Sequence, residues 1–306
     1  MTVLPSETLS ALAPHAGGRY VDGTLGGAGH SALLLDASTP DGRVLGIDAD
    51  AAALERARER LAPAVTAGRL LLRQGNFAQM EELARDADFA PVDGILLDLG
   101  LSSDQLADAA RGFSFAADAP LDMRFDTSQG QPAADLVNTL DETELADLLW
   151  RYGEERRSRA IARRIVAQRR RAPIARTGEL ARLIASVMPG RPGGIHPATR
   201  SFQALRIAVN DELGNLEAAL PRAVELLRPD GRIAVISFHS LEDRIVKRYF
   251  NEEARGCVCP PELPVCVCGR SPRLRVVTRH PITASAEELA RNPRARSAKL
   301  RVAERA

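Results

Sequence analysis

Three aspartates in the first hundred residues each end a short apolar run: Asp22 follows Tyr20-Val21, Asp48 follows Val44-Leu45-Gly46-Ile47, and Asp98 follows Ile95-Leu96-Leu97. A carboxylate so placed accepts hydrogen bonds from hydroxyls, attracts a cation, or holds the proton of a reacting amine. The stretch Asp22-Gly23-Thr24-Leu25-Gly26-Gly27-Ala28-Gly29-His30 lies between the first two. Its glycines let backbone approach a ligand closely, and a helix beginning there offers unsatisfied N–H donors. Asp48, at the tip of a second strand, suits the 2′- and 3′-hydroxyls of a ribose. The alternative for Asp48 is an N-cap of the helix that begins near Ala51.

Such placement requires strands that end together. Arg19–Asp22, Arg43–Asp48, Leu70–Gln74 and Val92–Asp98 read as strands, and His30–Asp36, Ala51–Leu61 and Met80–Arg85 read as the helices between them. Strands alternating with helices mean βαβ units and a doubly wound, mostly parallel α/β sheet, whose ligands sit outside the carboxyl ends of the strands. After Asp98 the rhythm stops. Asp141-Glu-Thr-Glu144 is a capping box, and helices are expected over 142–150, 154–170, 178–187 and 198–227, the last broken near Gly214 or Pro221, with a Pro- and Gly-rich loop at 189–194. A fifth strand resumes at Arg232–Ser237. The expected division is therefore 1–107 and 199–306 for the α/β domain and 108–198 for an inserted helical domain.

A nucleoside site on such a sheet leaves dinucleotides and S-adenosylmethionine as ligands. The dinucleotide fingerprint requires G-x-G-x-x-G, and glycines at 23, 26, 27 and 29 do not keep that spacing. Gly75-Asn76-Phe77, at the end of the third strand, offers a polar group and a ring to an adenine; the alternative for Phe77 is an ordinary core aromatic. Three carboxylates converging on one crevice repel one another, and a sulfonium cation would relieve them.

With 306 residues, 45% of them hydrophobic, the chain can bury a large core. No apolar run spans a bilayer and the first residues do not have the layout of a signal peptide, so the expected location is the cytoplasm, with no membrane partner. The net charge of +1 conceals a division: residues 1–150 hold 10 Arg against 24 acids, residues 151–206 hold 14 Arg against three Glu, and residues 269–306 hold ten basic residues against three Glu. On a helix over 154–170, Arg156, Arg159, Arg163 and Arg170 share one face, opposite Ile161 and Ile165. That face is read as binding RNA phosphates, with plain solvation as the alternative.

Eight motifs together resemble the ribosomal RNA small subunit methyltransferase H family, also called MraW. They are Asp22-Gly-Thr-x-Gly-x-x-Gly-His30, Asp98-Leu-Gly-x-Ser-Ser-x-Gln105, Arg111-Gly-Phe-Ser-Phe115, Pro120-Leu-Asp-Met-Arg124, His196-Pro-Ala-Thr-Arg-x-Phe-Gln-Ala-Leu-Arg206, Asn210-Asp-Glu-Leu213, Ser237-Phe-His-Ser-Leu-Glu-Asp-Arg244 and Asn292-Pro-Arg-x-Arg-Ser297. The resemblance implies a class I, Rossmann-like methyltransferase fold and S-adenosyl-L-methionine-dependent N4-methylation of one cytidine in the decoding region of 16S rRNA. The partner would be that rRNA in the small subunit or its precursor, and the oligomeric state stays open between monomer and homodimer. Carried over by motif, the cofactor contacts are Ala28, Gly29, His30, Asp48, Phe77, Asp98 and Gln105. Asp98 is the expected acceptor for the amine, with His239 as a second candidate for removing its proton. The chain departs from the family pattern in lacking a His before Val3-Leu4-Pro5 and in carrying Ala28 where Gly often stands. Cys257-Val-Cys259 and Cys266-Val-Cys268 leave zinc, reduced thiols and a labile disulfide open; the resemblance requires no metal, and none is assigned.

Overall fold

A computed structural model describes residues 2–188, 194–257, 259–260, 265 and 267–306. The chain forms two compact units, Met1–Gly100 with Leu213–Ala306, and Leu101–Glu212. Among the described residues no helix is long and apolar enough to cross a membrane.

The first unit opens with α1 (Pro5–Leu12), β1 (Arg19–Asp22), α2 (Gly29–Ala37), β2 (Arg43–Asp48), α3 (Ala51–Arg60), α4 (Ala62–Thr66), β3 (Leu70–Gln74), α5 (Met80–Asp86) and β4 (Val92–Asp98). The second unit contributes α6 (Ser103–Ala107), α7 (Ala133–Thr139), α8 (Glu142–Gly153), α9 (Ser158–Arg169), α10 (Thr177–Val187) and α11 (Thr199–Asn210). The chain then continues through α12 (Glu212–Leu226), β5 (Leu227–Ser237), α13 (Ser240–Glu253), β6 (Leu274–Val276), α14 (Ala286–Arg291) and β7 (Lys299–Arg305).

The seven strands form one sheet in the order β3-β2-β1-β4-β5-β7-β6. The first five are mutually parallel, and β7 runs antiparallel to both β5 and β6. Side chains alternate across the sheet, so both faces are apolar. Val21, Ile47, Ile95, Leu97 and Val235 pack with α12 and α13, while Tyr20, Val44, Leu96, Ala234 and Val302 pack with α1 and α2. The helical unit has its own core of Leu145, Leu149, Ile161, Ile165, Leu180, Ile184, Phe202 and Leu205.

Several sequence expectations change. The division falls at 100/101 and 212/213 rather than at 107/108 and 198/199, because α11 packs against α8 in the helical core. Gly153 allows that approach: a Cβ there would lie 2.6 Å from the Arg200 carbonyl. The helix expected over 154–170 begins at Ser158, since Glu154 turns left-handed, with φ 48°, to close α8. The break expected near Gly214 or Pro221 falls at Asp211, whose φ of 45° ends α11, and Pro221 lies inside α12. Strand β5 starts at Leu227, opposite Val92, and bulges before Arg232 meets Gly94. The closing antiparallel pair β6 and β7 went unread in the sequence, although Leu300 and Val302 alternate with Lys299 and Arg301. Residues 189–193 of the expected loop lie outside the described residues.

Candidate active site

The parallel strands β1, β2 and β4 end side by side and present Asp22, Asp48 and Asp98 at one edge of the sheet. The glycine turn threads between them. Gly23 donates to the Leu96 carbonyl at 2.9 Å, and Leu25 to the Ile47 carbonyl at 3.0 Å, so the turn is tied to both neighbouring strands. A Cβ at Gly23 would lie 2.7 Å from Leu97 Cδ2 and 3.3 Å from the Cβ of Phe77, so a larger residue would have to displace those side chains. Gly26 and Ala28 are both left-handed, at φ 49° and 56°. Ala28 therefore carries a side chain in a conformation that glycine adopts more easily.

The three acids differ in their surroundings. Asp22 is buried and accepts from the Ser31 hydroxyl at 2.7 Å and the Thr24 N–H at 3.3 Å. Burial pushes its carboxyl up despite those bonds. It braces the turn from inside the protein, so the convergence of three acids on a ligand reduces to two.

Asp48 accepts the Gly26 N–H at 2.7 Å on one oxygen and the Asp50 N–H at 2.8 Å on the other. Each oxygen keeps a lone pair for a further donor. Loss of hydration pushes its carboxyl up to about 6, against the two amide bonds that favour the ion. The N-cap of α3 is Asp50, which accepts from the Ala52 N–H, so the capping alternative for Asp48 does not hold.

Asp98 is fixed by its backbone N–H, which donates to the Thr24 hydroxyl at 2.6 Å. Its Oδ1 is buried without a hydrogen-bond partner among the described residues, and its Oδ2 faces His30 Nε2 at 3.6 Å. Burial lowers the affinity of His30 for a proton, but Asp98, Asp22 and the Val3 carbonyl outweigh it, holding the imidazole above its usual range. The imidazole thus stands beside the Asp98 carboxylate.

The remaining expected residues divide. Phe77 is half-buried beside Gly23, at the end of β3, where Asn76 caps the next turn by accepting from Ala78. Gly29 is the first residue of α2, and a Cβ there would collide with the Thr2 hydroxyl. His239 is the N-cap of α13: its Nδ1 accepts from the Glu242 N–H at 3.4 Å, and its Nε2 lies 3.2 Å from Glu242 Oε1. Gln105 belongs to the second unit, where it forms a capping box with Ser102. Sequence reasoning missed Thr24, Ser31 and Val3, which hold the carboxylates and His30; their contacts are made across the fold, and only the closeness of Thr24 and Ser31 to the turn hinted at them.

The chain matches the family model described as the MraW methylase family over residues 1–306. The chain belongs to this family. Relatives agree. The chain is 61% identical over 303 residues to "Ribosomal RNA small subunit methyltransferase H" of Thermomicrobium roseum, covering 99% of this chain and 92% of the relative. It is 57% identical over 305 residues to the protein of that name from Geobacter sulfurreducens, covering 99% and 97%. This MraW-family chain is thus a methyltransferase with the class I fold, and its cofactor is S-adenosylmethionine.

The residues present fit that cofactor. The lone pairs of Asp48 and the orphaned oxygen of Asp98 leave acceptors for a ribose and a cation.

Elsewhere in the MraW-family chain, Arg156, Arg159, Arg163 and Arg170 are all exposed, but only Arg159 and Arg163 lie within α9, whose Ile161 and Ile165 are buried. Arg156 precedes the helix and Arg170 caps its end, so the single helical face expected over 154–170 does not form as read. Among the described residues, Arg163 meets Glu142 at 3.5 Å and the other three have no ionic partner.

Proposed function

We propose that this methyltransferase acts on 16S rRNA of the small ribosomal subunit, at the exocyclic N4 of a cytidine in the decoding region. The single observation that carries the reading is the buried, unpartnered Oδ1 of Asp98 at the tip of β4, an acceptor placed for an N–H donor. The names of the curated relatives support rRNA as the substrate, and the eight sequence motifs support the N4 position.

The amine of cytosine is a poor nucleophile because its lone pair is delocalised into the ring. An acceptor aimed at its hydrogens draws the lone pair out of conjugation and holds it in line for transfer. Asp98 supplies that acceptor, with His30 Nε2 3.6 Å from its other oxygen. The bound cofactor supplies an electrophilic methyl on a sulfonium. Asp48 accepts the ribose hydroxyls, Phe77 and the glycine turn bound the adenosine, and the amine proton passes to Asp98. His239 positions the start of α13 through its capping bonds. The target base leaves its stack to reach these groups. In the second unit, the exposed Arg156, Arg159, Arg163 and Arg170, on and beside α9, bind rRNA phosphates.

Mass mapping of methylated 16S rRNA, from cells with and without the protein, tests the reading. One N4-methylcytidine in the decoding region should depend on the protein; a methyl group on another atom or nucleotide overturns it. With cofactor saturating, Asp98→Asn should slow single-turnover transfer by about a hundredfold or more. Cofactor affinity should rise as pH climbs through about 6 and then level off, because hydroxyl donation favours the ionised form of Asp48. In Asp48→Asn calorimetry should show the rise gone.

A further inference from the structure

The connection between α13 and β6 brings together three sulfurs that the methyl-transfer site does not use. The Sγ atoms of Cys257, Cys259 and Cys268 all lie within 4.8 Å of one another. Cys257 and Cys268 are 3.9 Å apart. In a tetrahedral zinc thiolate with Zn–S bonds of about 2.3 Å, two sulfurs stand about 3.8 Å apart, so this edge has the length that zinc requires. The backbone N–H of Cys259 also donates to Cys257 Sγ at 3.4 Å, a bond that favours sulfur carrying negative charge.

Among the described residues of this stretch, the side chains of Val265 and Val267 are 70% and 77% exposed and do not pack around the cysteines. What anchors it lies at its C-terminal end, where Arg270 pairs with Glu253 at 2.9 Å and the backbone N–H of Arg273 donates to the Glu253 carbonyl at 2.9 Å. Three soft thiolates select zinc over magnesium or calcium, which take oxygen ligands.

We propose that Cys257, Cys259 and Cys268 hold a structural Zn²⁺ that pins the α13–β6 connection, with its fourth position taken by a donor outside this triad. Cys266 lies outside the described residues and is not part of the assignment. The site takes no part in methyl transfer. The metal organises a surface segment whose composition cannot organise itself, the role that zinc plays in small domains without a core.

The test uses the full chain, reduced and stripped with a chelator, then titrated with Zn²⁺ alone against a chromophoric competitor. Wild type should bind one equivalent, while Cys257→Ser/Cys268→Ser should retain less than about a tenth of an equivalent. Far-ultraviolet circular dichroism and the cofactor affinity of the double variant should match wild type, which separates loss of metal from loss of fold. Absorption spectroscopy at the zinc edge should find at least three sulfurs at about 2.3 Å. If the double variant did not fold, Cys259→Ala alone should still lower zinc affinity. Equal zinc binding by the variants and wild type, a first shell of nitrogen and oxygen only, or a Cys257–Cys268 disulfide in protein handled under reducing conditions would each overturn the proposal.

Discussion

The chain carries two arginine-rich segments, 151–206 and 269–306, and the fold treats them differently. In the second, Arg301 is buried against Asp243 at 2.6 Å, with Lys299 on the same carboxylate at 3.3 Å. Arg275 and Arg232 both pair with Glu304, Arg273 pairs with Glu225, and Arg305 donates to the carbonyls of Val224 and Leu227. These are ties that hold the last strands to the sheet. In the first, Arg169 closes the end of α7 by donating to the Val137 carbonyl at 2.7 Å, but Arg156, Arg159, Arg163 and Arg170 face solvent. Equal densities of one residue type therefore do two jobs. Whether an arginine is engaged depends on the acids and carbonyls that the fold brings to it, and those come from distant parts of the chain.

The sharpest way to break this contrast is Arg301→Gln. Removing Arg301 leaves Asp243 with Lys299 but without its buried, charge-assisted hydrogen bonds, so urea unfolding should show a loss of about 1.5–3 kcal/mol. A loss below about 1 kcal/mol would place Arg301 with the surface charges. RNA affinity per folded molecule should not change.

The mirror experiment replaces Arg156, Arg159, Arg163 and Arg170 with Gln. Each exposed change should move stability by no more than about 0.5 kcal/mol. The slope of log K for RNA against log salt should flatten by about 0.7–0.9 for each phosphate no longer neutralised, equally for cognate and unrelated RNA. An unchanged slope would give this face to solvation and turn attention to Arg279 and Arg296, which are exposed in the other segment.

Acid offers a milder probe. The Arg301 and Lys299 cations outweigh the burial of Asp243 and hold its carboxyl below the usual range, and Arg232 and Arg275 do the same for Glu304. A lowered folded-state value means stability that is present above the ordinary carboxylate range and is lost as pH falls through the folded value. Urea midpoints should therefore drop on acidification below about pH 4. The drop should shrink in Asp243→Asn, and the quadruple Arg variant should retain it in full.

The smallest effect belongs to Glu142→Gln, which removes the partner of Arg163. That pair is exposed on both sides, so melting should register at most about 1 kcal/mol. RNA affinity should rise slightly, since the acid no longer competes with phosphate.

Much of the strand-tip edge was legible because it is local. Short apolar runs ending in Asp22, Asp48 and Asp98 define three strand tips, and glycine spacing separates this turn from a dinucleotide loop. The capping of α8 by Asp141 was equally readable, since its partner Glu144 is three residues away. Elements that depend on remote partners were less so. The end of α11 at Asp211, the place of α11 in the helical core, and the strands β6 and β7 are fixed by what each segment packs against.

The sequence by itself determined the parallel α/β rhythm, the family, the strand-tip acids and the exposure of the arginines around α9, because periodicity and nearest-neighbour chemistry act within a few residues. Only the tertiary structure decided which acid is which. Asp22 sinks behind Ser31, Asp48 is held by two backbone amides, and Asp98 alone keeps an oxygen unpartnered beside His30. It also decided that Arg273, Arg275, Arg301 and Arg305 are ties while Arg156, Arg159 and Arg170 face solvent. The physical reason is the same in both cases: hydration and charge pairing depend on neighbours in space, and strand order and helix packing choose those neighbours from positions tens to hundreds of residues apart.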